Sequence, residues 1–285
     1  MISPGARGRM LILGGAVLFG TTGTAQEFAP AGIDPASTGA IRMMVGGPLL
    51  GLMALLFRGH SVRGPWPAGW LFLGIIGVAA FQYCFFKSVH MTGVAVGTMV
   101  AIGCSPIVAG ALGFIFLKEP LGRRWFLSAI LTLTGCCMLV LPNGDVAVDG
   151  GGILLAVCAG SGYAIYILAA KRLMQTVTAL PMVAVVLSAA GVVLLPVLLD
   201  ARWDLWLTAR GIGAGLWLGV AGTAAAYLLM AMGLATTPVS SAALMVLAEP
   251  LAACLLGIIV LQEPLTTIAA LGMAMIFGGL VFASR

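Results

Sequence analysis

The sequence predicts an all-α membrane protein in which ten transmembrane helices form two inverted five-helix repeats around a central cavity. Of the 285 residues, 61% are hydrophobic and 8% are charged, whereas a soluble domain carries about 25% charged residues because its surface faces water. Apolar stretches long enough to cross a bilayer recur along the chain. The segment 105–121 also recurs at 249–265, 144 positions later. Internal duplication of this kind in a membrane protein is typical of transporters.

Ten apolar runs, separated by short turns rich in Gly and Pro, predict the spanning helices. An open sheet is excluded because its unpaired edges would be unsatisfied in hydrocarbon. A cleaved signal peptide following Arg7 and Arg9 is the alternative for the first run, but its removal would leave nine helices and spoil the repeat. The predicted turns include Gly32–Pro35, Gly64–Pro67, Pro142–Asp145 and Thr236–Pro238. The runs cover about 10–28, 36–57, 69–89, 93–117, 122–141, 151–171, 178–199, 211–235, 238–261 and 265–283.

The two copies align without a gap and divide the chain into repeats 1–145 and 146–285. Because each repeat has five spans, an odd number, the second copy crosses the bilayer in the opposite direction. Inverted repeats place the binding site near the midplane between the copies. The aligned pairs include Tyr83 with Tyr227, Pro106 with Pro250, Gly113 with Gly257, and Glu119-Pro120-Leu121 with Glu263-Pro264-Leu265.

The distribution of Lys and Arg predicts that both termini are cytoplasmic and that the protein resides in the bacterial inner membrane. With this orientation most basic residues face the cytoplasm, and most acidic residues lie outside. The net charge of +5 reflects this bias, so no nucleic-acid partner is expected. The cytoplasmic set is Arg7, Arg9, Arg58, Arg63, Lys118, Arg123, Arg124, Lys171, Arg172 and Arg285.

These features resemble the drug/metabolite transporter superfamily, and in particular its EamA-type ten-helix members. The resemblance rests on the paired Glu-Pro-Leu loops and on the openings of helices one and six, at residues 16–20 and 156–160. It implies a central cavity lined by helices 1, 3, 4, 6, 8 and 9, with helices 5 and 10 at the periphery. It also implies export of small metabolites, with aromatic and neutral amino acid exporters among the bacterial members.

Polar and aromatic side chains deep in the apolar runs are the candidates for contact with a substrate, since polar groups in hydrocarbon need a partner or a wet cavity. For any single hydroxyl the alternative is a bond to its own helix, and for a tyrosine it is an interfacial anchor. The candidate residues are Thr21, Thr24, Gln82, Tyr83, Phe86, Thr98, Ile102, Tyr163, Tyr166, Thr223, Tyr227, Met230, Ser241 and Met245.

Charged groups and prolines within the runs give further candidates. Glu249 is an acid near the middle of a span, which suggests proton coupling or a counter-charge to a substrate amine; the alternative is a structural role beside Pro250. Pro106 and Pro250 are expected to break or hinge their helices, with simple kinks as the alternative. Arg42 either snorkels to the interface or meets a substrate carboxylate.

The function predicted is secondary active export of small metabolites, chiefly neutral and aromatic amino acids, by alternating access. An exporter of drugs or other metabolites is the alternative within the superfamily, and a passive channel or membrane-embedded enzyme is the alternative of a different class. The sequence has no catalytic constellation, metal motif or Walker loop, so we expect neither an enzyme nor a cofactor. The expected partners are a small-molecule substrate and membrane lipid, and a monomer is compatible with the sequence.

Overall fold

The computed structural model describes residues 3–56, 65–140, 149–262 and 264–284. The predicted turn Pro142–Asp145, the boundary between the repeats, and Gly64 of another predicted turn lie outside these ranges. So do four of the charged residues used above: Arg58, Arg63, Glu263 and Arg285.

The described chain is helical throughout, and every predicted apolar run overlaps a helix. The helices are α1 Pro4–Glu27, α2 Pro35–Leu56, α3 Ala68–Gly93, α4 Val96–Leu117, α5 Arg123–Val140, α6 Gly150–Leu173, α7 Ala179–Val193, α8 Ala209–Leu234, α9 Val239–Val260 and α10 Thr267–Ser284. Between α7 and α8 lie a 3₁₀ turn, Leu195–Asp200, and a short helix, Trp203–Trp206.

Six of these helices, within the described ranges, are long and apolar enough to cross a membrane: α2, α3, α4, α6, α8 and α9. The helices α7 and α10 are apolar but shorter. The helices α1 and α5 begin with basic residues, Arg7 and Arg9 in the first and Arg123 and Arg124 in the second. The composition and length of the helices therefore define a multi-pass membrane protein.

Polar side chains fix where several helices begin. The Asp34 carboxylate accepts the backbone N–H of Ser37 at 2.9 Å, and the Asp149 carboxylate accepts that of Gly152 at 2.7 Å. The Thr208 hydroxyl accepts the N–H of Gly211 at 3.1 Å. Each contact satisfies a donor that a helix N-terminus leaves unpaired.

Three helices are interrupted near their middle or at a junction. Gly93 joins α3 to α4 with φ 81°, a conformation that favours glycine because it has no Cβ. The helix α8 contains a π-helical turn, Val220–Ala225. The helix α9 is broken at Leu247, three residues before Pro250, where proline cannot supply the next backbone hydrogen bond. Helix α4, by contrast, is continuous through Pro106, so the break expected there is absent.

The ends of α4 and α9 have the same unusual backbone. Lys118 has φ 55° and Gln262 has φ 58°, and these residues are 144 positions apart. After Lys118, the N–H of Glu119 bonds the carbonyl of Gly113 at 3.1 Å, which closes the helix end in the manner of a Schellman cap. The non-glycine left-handed residue recurs in register with the repeat.

Close contacts between helices are reciprocal across the two halves of the chain. A Cβ at Gly47 of α2 would lie 2.5 Å from the backbone of Ser188, and one at Gly191 of α7 would lie 3.1 Å from Met44. Gly191 and Ser188 lie 144 positions after Gly47 and Met44. Since later residues of α2 meet earlier residues of α7, these equivalent helices are antiparallel.

The same reciprocity relates α5 and α10. A Cβ at Gly135 would lie 2.6 Å from the carbonyl of Gly272, and one at Gly279 would lie 3.0 Å from the carbonyl of Ser128. These two helices pack chiefly on each other, at the side of the bundle. The larger core lies among α1, α2, α3, α6, α7, α8 and α9, where Tyr166 and Tyr227 are fully buried.

Candidate binding cavity

A cavity of about 310 Å³ lies between the two halves of the chain. Its wall reaches from Tyr163 and Ala243 in the interior to Gln26, Pro35 and Val89, at the end of the bundle opposite to the chain start. Helices α1, α2, α3, α4, α6 and α9 line it. The resemblance implied α8 rather than α2; α8 instead lies behind the wall. The lining residues are Phe19, Gly20, Thr22, Gly23, Gln26, Pro35, Arg42, Phe81, Gln82, Phe85, Phe86, Val89, Thr98, Ala101, Ile102, Ser105, Tyr163, Ala243, Val246, Leu247, Glu249 and Ala253.

Aromatic rings form one wall of the cavity. Phe81 and Phe85 stand one helical turn apart on α3 and stack with centroids 5.5 Å apart. Phe86 meets Phe85 edge to face at 5.2 Å, and Tyr163 of α6 lies 5.2 Å from Phe81. Such a wall offers an apolar, polarisable surface to a planar or aliphatic group.

Arg42 brings a positive charge into this cavity from α2. Its side chain is buried, with 6% of its surface exposed. The Nε group donates to the Thr223 hydroxyl at 2.8 Å, and Nη2 donates to the carbonyl of Gly222. Both acceptors belong to the π-helical turn of α8. The side chain therefore points into the bundle and does not snorkel to the interface.

Glu249 brings a carboxyl group into the same cavity from α9. It stands in the first turn of the segment that follows the break at Leu247. Helix α1 approaches closely here, since a Cβ at Gly20 would lie 2.8 Å from the Glu249 carbonyl. Within the described part of the chain, no salt bridge within 4.0 Å joins Glu249 to Arg42. The cavity thus contains a guanidinium and a carboxyl group that are not paired directly.

Neutral polar groups of the cavity wall have atoms without protein partners. Among the described residues, Oε1 of Gln82 and the hydroxyls of Thr22 and Tyr163 are buried and make no hydrogen bond. The Gln82 amide nitrogen lies 3.8 Å from Met43 Sδ. Buried polar groups are almost always bonded in native proteins, so unpaired groups around one cavity suit a site that receives a polar solute or water.

At the chain-start end, one set of contacts joins the two halves and a second set lies within the later half. The Glu119 carboxylate accepts the backbone N–H of Val239 at 2.7 Å and that of Ser240 at 3.0 Å. The Lys171 ammonium donates to the carbonyls of Leu234, Ala235 and Thr237 at 2.6, 3.1 and 2.9 Å. Opposite charges therefore sit on the C-terminus of α8 and the N-terminus of α9, as the helix dipoles favour.

Of the predicted site residues, some line the cavity and others pack elsewhere. Those in the wall are Gln82, Phe86, Thr98, Ile102, Tyr163 and Glu249. The side chains of Tyr166, Tyr227, Met230 and Met245 are outside the wall because they are buried in the protein core.

The remaining predicted residues lie in other surroundings. Tyr83 is 45% exposed on the outer face of α3, so it does not face the cavity. The Thr21 hydroxyl bonds its own helix at Leu18 and accepts from Trp217. Thr223 holds Arg42 from behind the wall. Thr24 and Ser241 are partly buried outside the cavity.

Sequence reasoning missed several residues that line the cavity. Phe81 and Phe85 repeat at i, i+4 on the same side of α3 as Gln82 and Phe86, and this spacing could have placed them. Phe19 and Thr22 lie one turn apart on α1 and were open to the same reasoning. Arg42 had no such signal, because its direction depends on acceptors in α8.

A cavity lined by apolar and polar groups, enclosed by helices that are long enough to cross a membrane, is typical of membrane transporters. The comparisons with known proteins agree. The chain is 38% identical over 278 residues to the uncharacterized transporter YwfM of Bacillus subtilis, covering 96% of this chain and 93% of that protein. It is 28% identical over 227 residues to Protein PecM of Dickeya dadantii, covering 75% and 74% of the two chains. A solved crystal structure superposes with a TM-score of 0.85 at 22% identity, over 97% of this chain and 96% of that one, which shows the fold alone.

The chain belongs to the EamA-like transporter family, whose pattern it matches twice, over residues 6–141 and 150–285. The protein is therefore a multi-pass membrane transporter of the drug/metabolite transporter superfamily, as the resemblance implied.

Proposed function

We propose that this protein exports small metabolites, chiefly aromatic and other neutral amino acids, across the bacterial inner membrane by alternating access. The observation that carries the proposal is the aromatic cavity between the halves, with Glu249 in its wall beside Gln82, whose Oε1 makes no hydrogen bond. The aromatic rings suit an apolar side chain, and the polar groups suit the charged end of an amino acid. Small-molecule sites in proteins typically combine a mostly apolar wall with a few polar groups that orient the ligand.

Many alternating-access transporters are built from two equivalent halves of opposite orientation, and we propose the ten-span, five-plus-five inverted repeat for this protein. The reciprocal, antiparallel contacts of α2 with α7 and of α5 with α10 support it. The left-handed residues Lys118 and Gln262 support it as well. Exchanging the conformations of such halves turns an opening on one side into an opening on the other.

The distribution of charge supports an orientation with both termini in the cytoplasm. The chain-start end carries Arg7, Arg9, Lys118, Arg123, Arg124, Lys171 and Arg172, whereas the opposite end carries Glu27, Asp34, Asp149, Asp200 and Asp204. The positive-inside rule then puts the Glu119 end in the cytoplasm. In this orientation the structure is closed toward the cytoplasm, and its cavity reaches toward the outside.

The size of the cavity favours a small metabolite over a drug-sized compound. A volume of about 310 Å³ lies at the lower end of the roughly 300–1,000 Å³ typical of small-molecule sites. A multidrug exporter needs a larger or more adaptable chamber. We therefore rank amino acid export above drug export.

Counterflow in proteoliposomes tests the proposal. Purified protein is reconstituted, loaded with one unlabelled amino acid at a time, and supplied with the same amino acid in labelled form outside. A transporter shows saturable exchange that exceeds equilibrium transiently, whereas a channel shows none. Exchange of aromatic or other neutral amino acids is expected. Exchange of dyes or drugs without any amino acid would favour the multidrug alternative, and unsaturable flux would favour a channel.

A further inference from the structure

Arg42 is the least expected charge in the bundle. It lies in α2, and its position in the other half, 144 residues later, is Val186 of α7. Val186 is fully buried in the apolar core, so the fold itself does not need a cation at this position. An arginine inside a span is energetically unfavourable and normally faces a partner or an aqueous pathway.

The structure supports Arg42 with a dedicated local arrangement. Its two acceptors, Gly222 and Thr223, lie in the π-helical turn. Single π-helical turns occur preferentially at functional sites. The equivalent residues in α3 are Val78 and Ala79, which are buried and cannot hold a guanidinium through side chains. Arg42 and the residues that hold it therefore both differ from their equivalents in the other half of the chain.

The anchoring uses only part of the guanidinium. Arginine has five N–H donors in a planar fork, and contacts with Thr223 and Gly222 use two of them. No carboxylate lies within 4.0 Å of Arg42 in the ranges that the structure describes, and Arg42 is part of the cavity wall. A fixed guanidinium with donors to spare, facing a cavity, matches the two oxygens of a carboxylate.

We propose that Arg42 binds the carboxylate of the transported solute, and that this contact makes a carboxylate a requirement for transport. Thr223 is a positioning residue that sets the plane of the guanidinium. The inference rests on the proposed function, since it takes this cavity as the transport site.

The test uses ligands that differ only at the carboxylate. Counterflow of labelled phenylalanine into proteoliposomes is measured in competition with phenylalanine, with phenylalaninamide, and with phenethylamine. The wild type is expected to be inhibited at least about tenfold more strongly by phenylalanine than by the other two, as a charged hydrogen-bond pair implies. In Arg42→Gln, phenylalanine should lose this advantage, and the three inhibition constants should fall within about twofold of each other.

Matched variants separate recognition from structural support. Arg210→Gln removes an exposed arginine of α8 that bonds only the Phe28 carbonyl, and it should retain the wild-type preference. Arg42→Lys keeps the charge without the planar fork and should have an intermediate preference. If Arg42→Gln does not fold, Thr223→Val answers the question, because a freed guanidinium should lower the preference for phenylalanine. An unchanged preference in the folded variants overturns the inference.

The inference can fail separately from the proposed function. Amino acid exchange by the wild type, with no preference for the acid over the amide, would leave the function standing and remove the role of Arg42. If no amino acid is exchanged, thermal stabilisation by phenylpropionate is compared with that by phenylpropionamide. Stabilisation by the acid that is lost in Arg42→Gln supports the carboxylate site without the proposed function. Equal stabilisation, or none, overturns the site as well.

Discussion

The carboxylate of Glu119 accepts the backbone N–H of Ser240 at 3.0 Å and the Ser240 hydroxyl at 2.8 Å. Glu119 belongs to the loop after α4, in the first half, and Ser240 opens α9, in the second half. The contact therefore joins the halves at one end of the cavity. It also serves as the N-terminal cap of α9, because Glu119 accepts the Val239 N–H as well.

Through this contact, the carboxylate of the Glu119-Pro120-Leu121 loop holds the loop against the N-terminus of α9. A helix N-terminus with unpaired donors is stabilised by an anion. Here the anion is Glu119, from the loop between α4 and α5. Separating α9 from the loop at this end would expose both the carboxylate and the N–H groups. The Glu119 contact thus favours the state in which the chain-start end is closed.

The first prediction concerns Glu119→Gln. The uncharged amide replaces a carboxylate that accepts three hydrogen bonds, so the cap should weaken by about 1 kcal/mol, or roughly fivefold in a local opening equilibrium. Hydrogen–deuterium exchange of the amides at Val239–Val246 should accelerate by that factor in the detergent-solubilised protein. Glu27→Gln, at the exposed end of α1, is the control and should leave this segment unchanged. Equal exchange in both variants would show that Glu119 does not hold the end closed.

The second prediction concerns Lys171, which caps the C-terminus of α8. Lys171→Met leaves the carbonyls of Leu234, Ala235 and Thr237 without their donor, and hydrogen bonds to charged groups contribute about 1.5–3 kcal/mol. The melting temperature of the purified protein should fall, while Lys87→Met at an exposed position should have no effect. Because Lys171 and Glu119 act on adjacent ends of α8 and α9, their effects should be non-additive in a double-mutant cycle. Strict additivity would mean that the two caps act independently.

The positions of the helices could be predicted from sequence more completely than the direction of their side chains. Apolar runs and turn residues mark the helices directly, because hydrocarbon imposes length and composition. Tyr166 and Tyr227 met the same criteria as Tyr163, yet they pack on each other with ring centroids 5.5 Å apart, in the core. Periodicity shows that a face is buried but cannot show whether protein or a cavity covers it.

Arg42 illustrates the same limit of sequence-based prediction. The direction of the Arg42 side chain depends on Gly222 and Thr223, 180 and 181 positions away in the chain. These two residues lie in a π-helical turn that no sequence pattern marks. The sequence alignment of the two halves does contain a signal. In that alignment Arg42 corresponds to Val186, and Glu249 corresponds to Ser105. A charged residue in one half that aligns with an uncharged residue in the other is therefore a candidate for the site.

The third prediction separates two glycines of α2 that have the same small-residue spacing. A Cβ at Gly47 would meet the backbone of Ser188, whereas one at Gly51 would meet nothing within 4 Å. Gly47→Ala should lower the free energy of unfolding by about 1–3 kcal/mol through overpacking. Gly51→Ala should instead raise it slightly, by up to about 1 kcal/mol, through helix propensity. Thermal unfolding of both variants in the same detergent measures the difference. Similar destabilisation by both would show that α2 does not meet α7 at Gly47.

The fourth prediction tests whether Glu249 couples transport to protons. If Glu249 carries the proton, Glu249→Gln should abolish the acceleration of amino acid efflux by an imposed pH gradient, because an amide cannot take up or release a proton. Exchange without a gradient should persist, since it does not require net proton movement. Proteoliposome efflux of labelled phenylalanine at matched and unmatched pH gives both rates, with Glu27→Gln as the control. If the variant loses exchange as well as the gradient effect, Glu249 acts as the counter-charge of the substrate amine. If the gradient effect survives, the proton passes through another group.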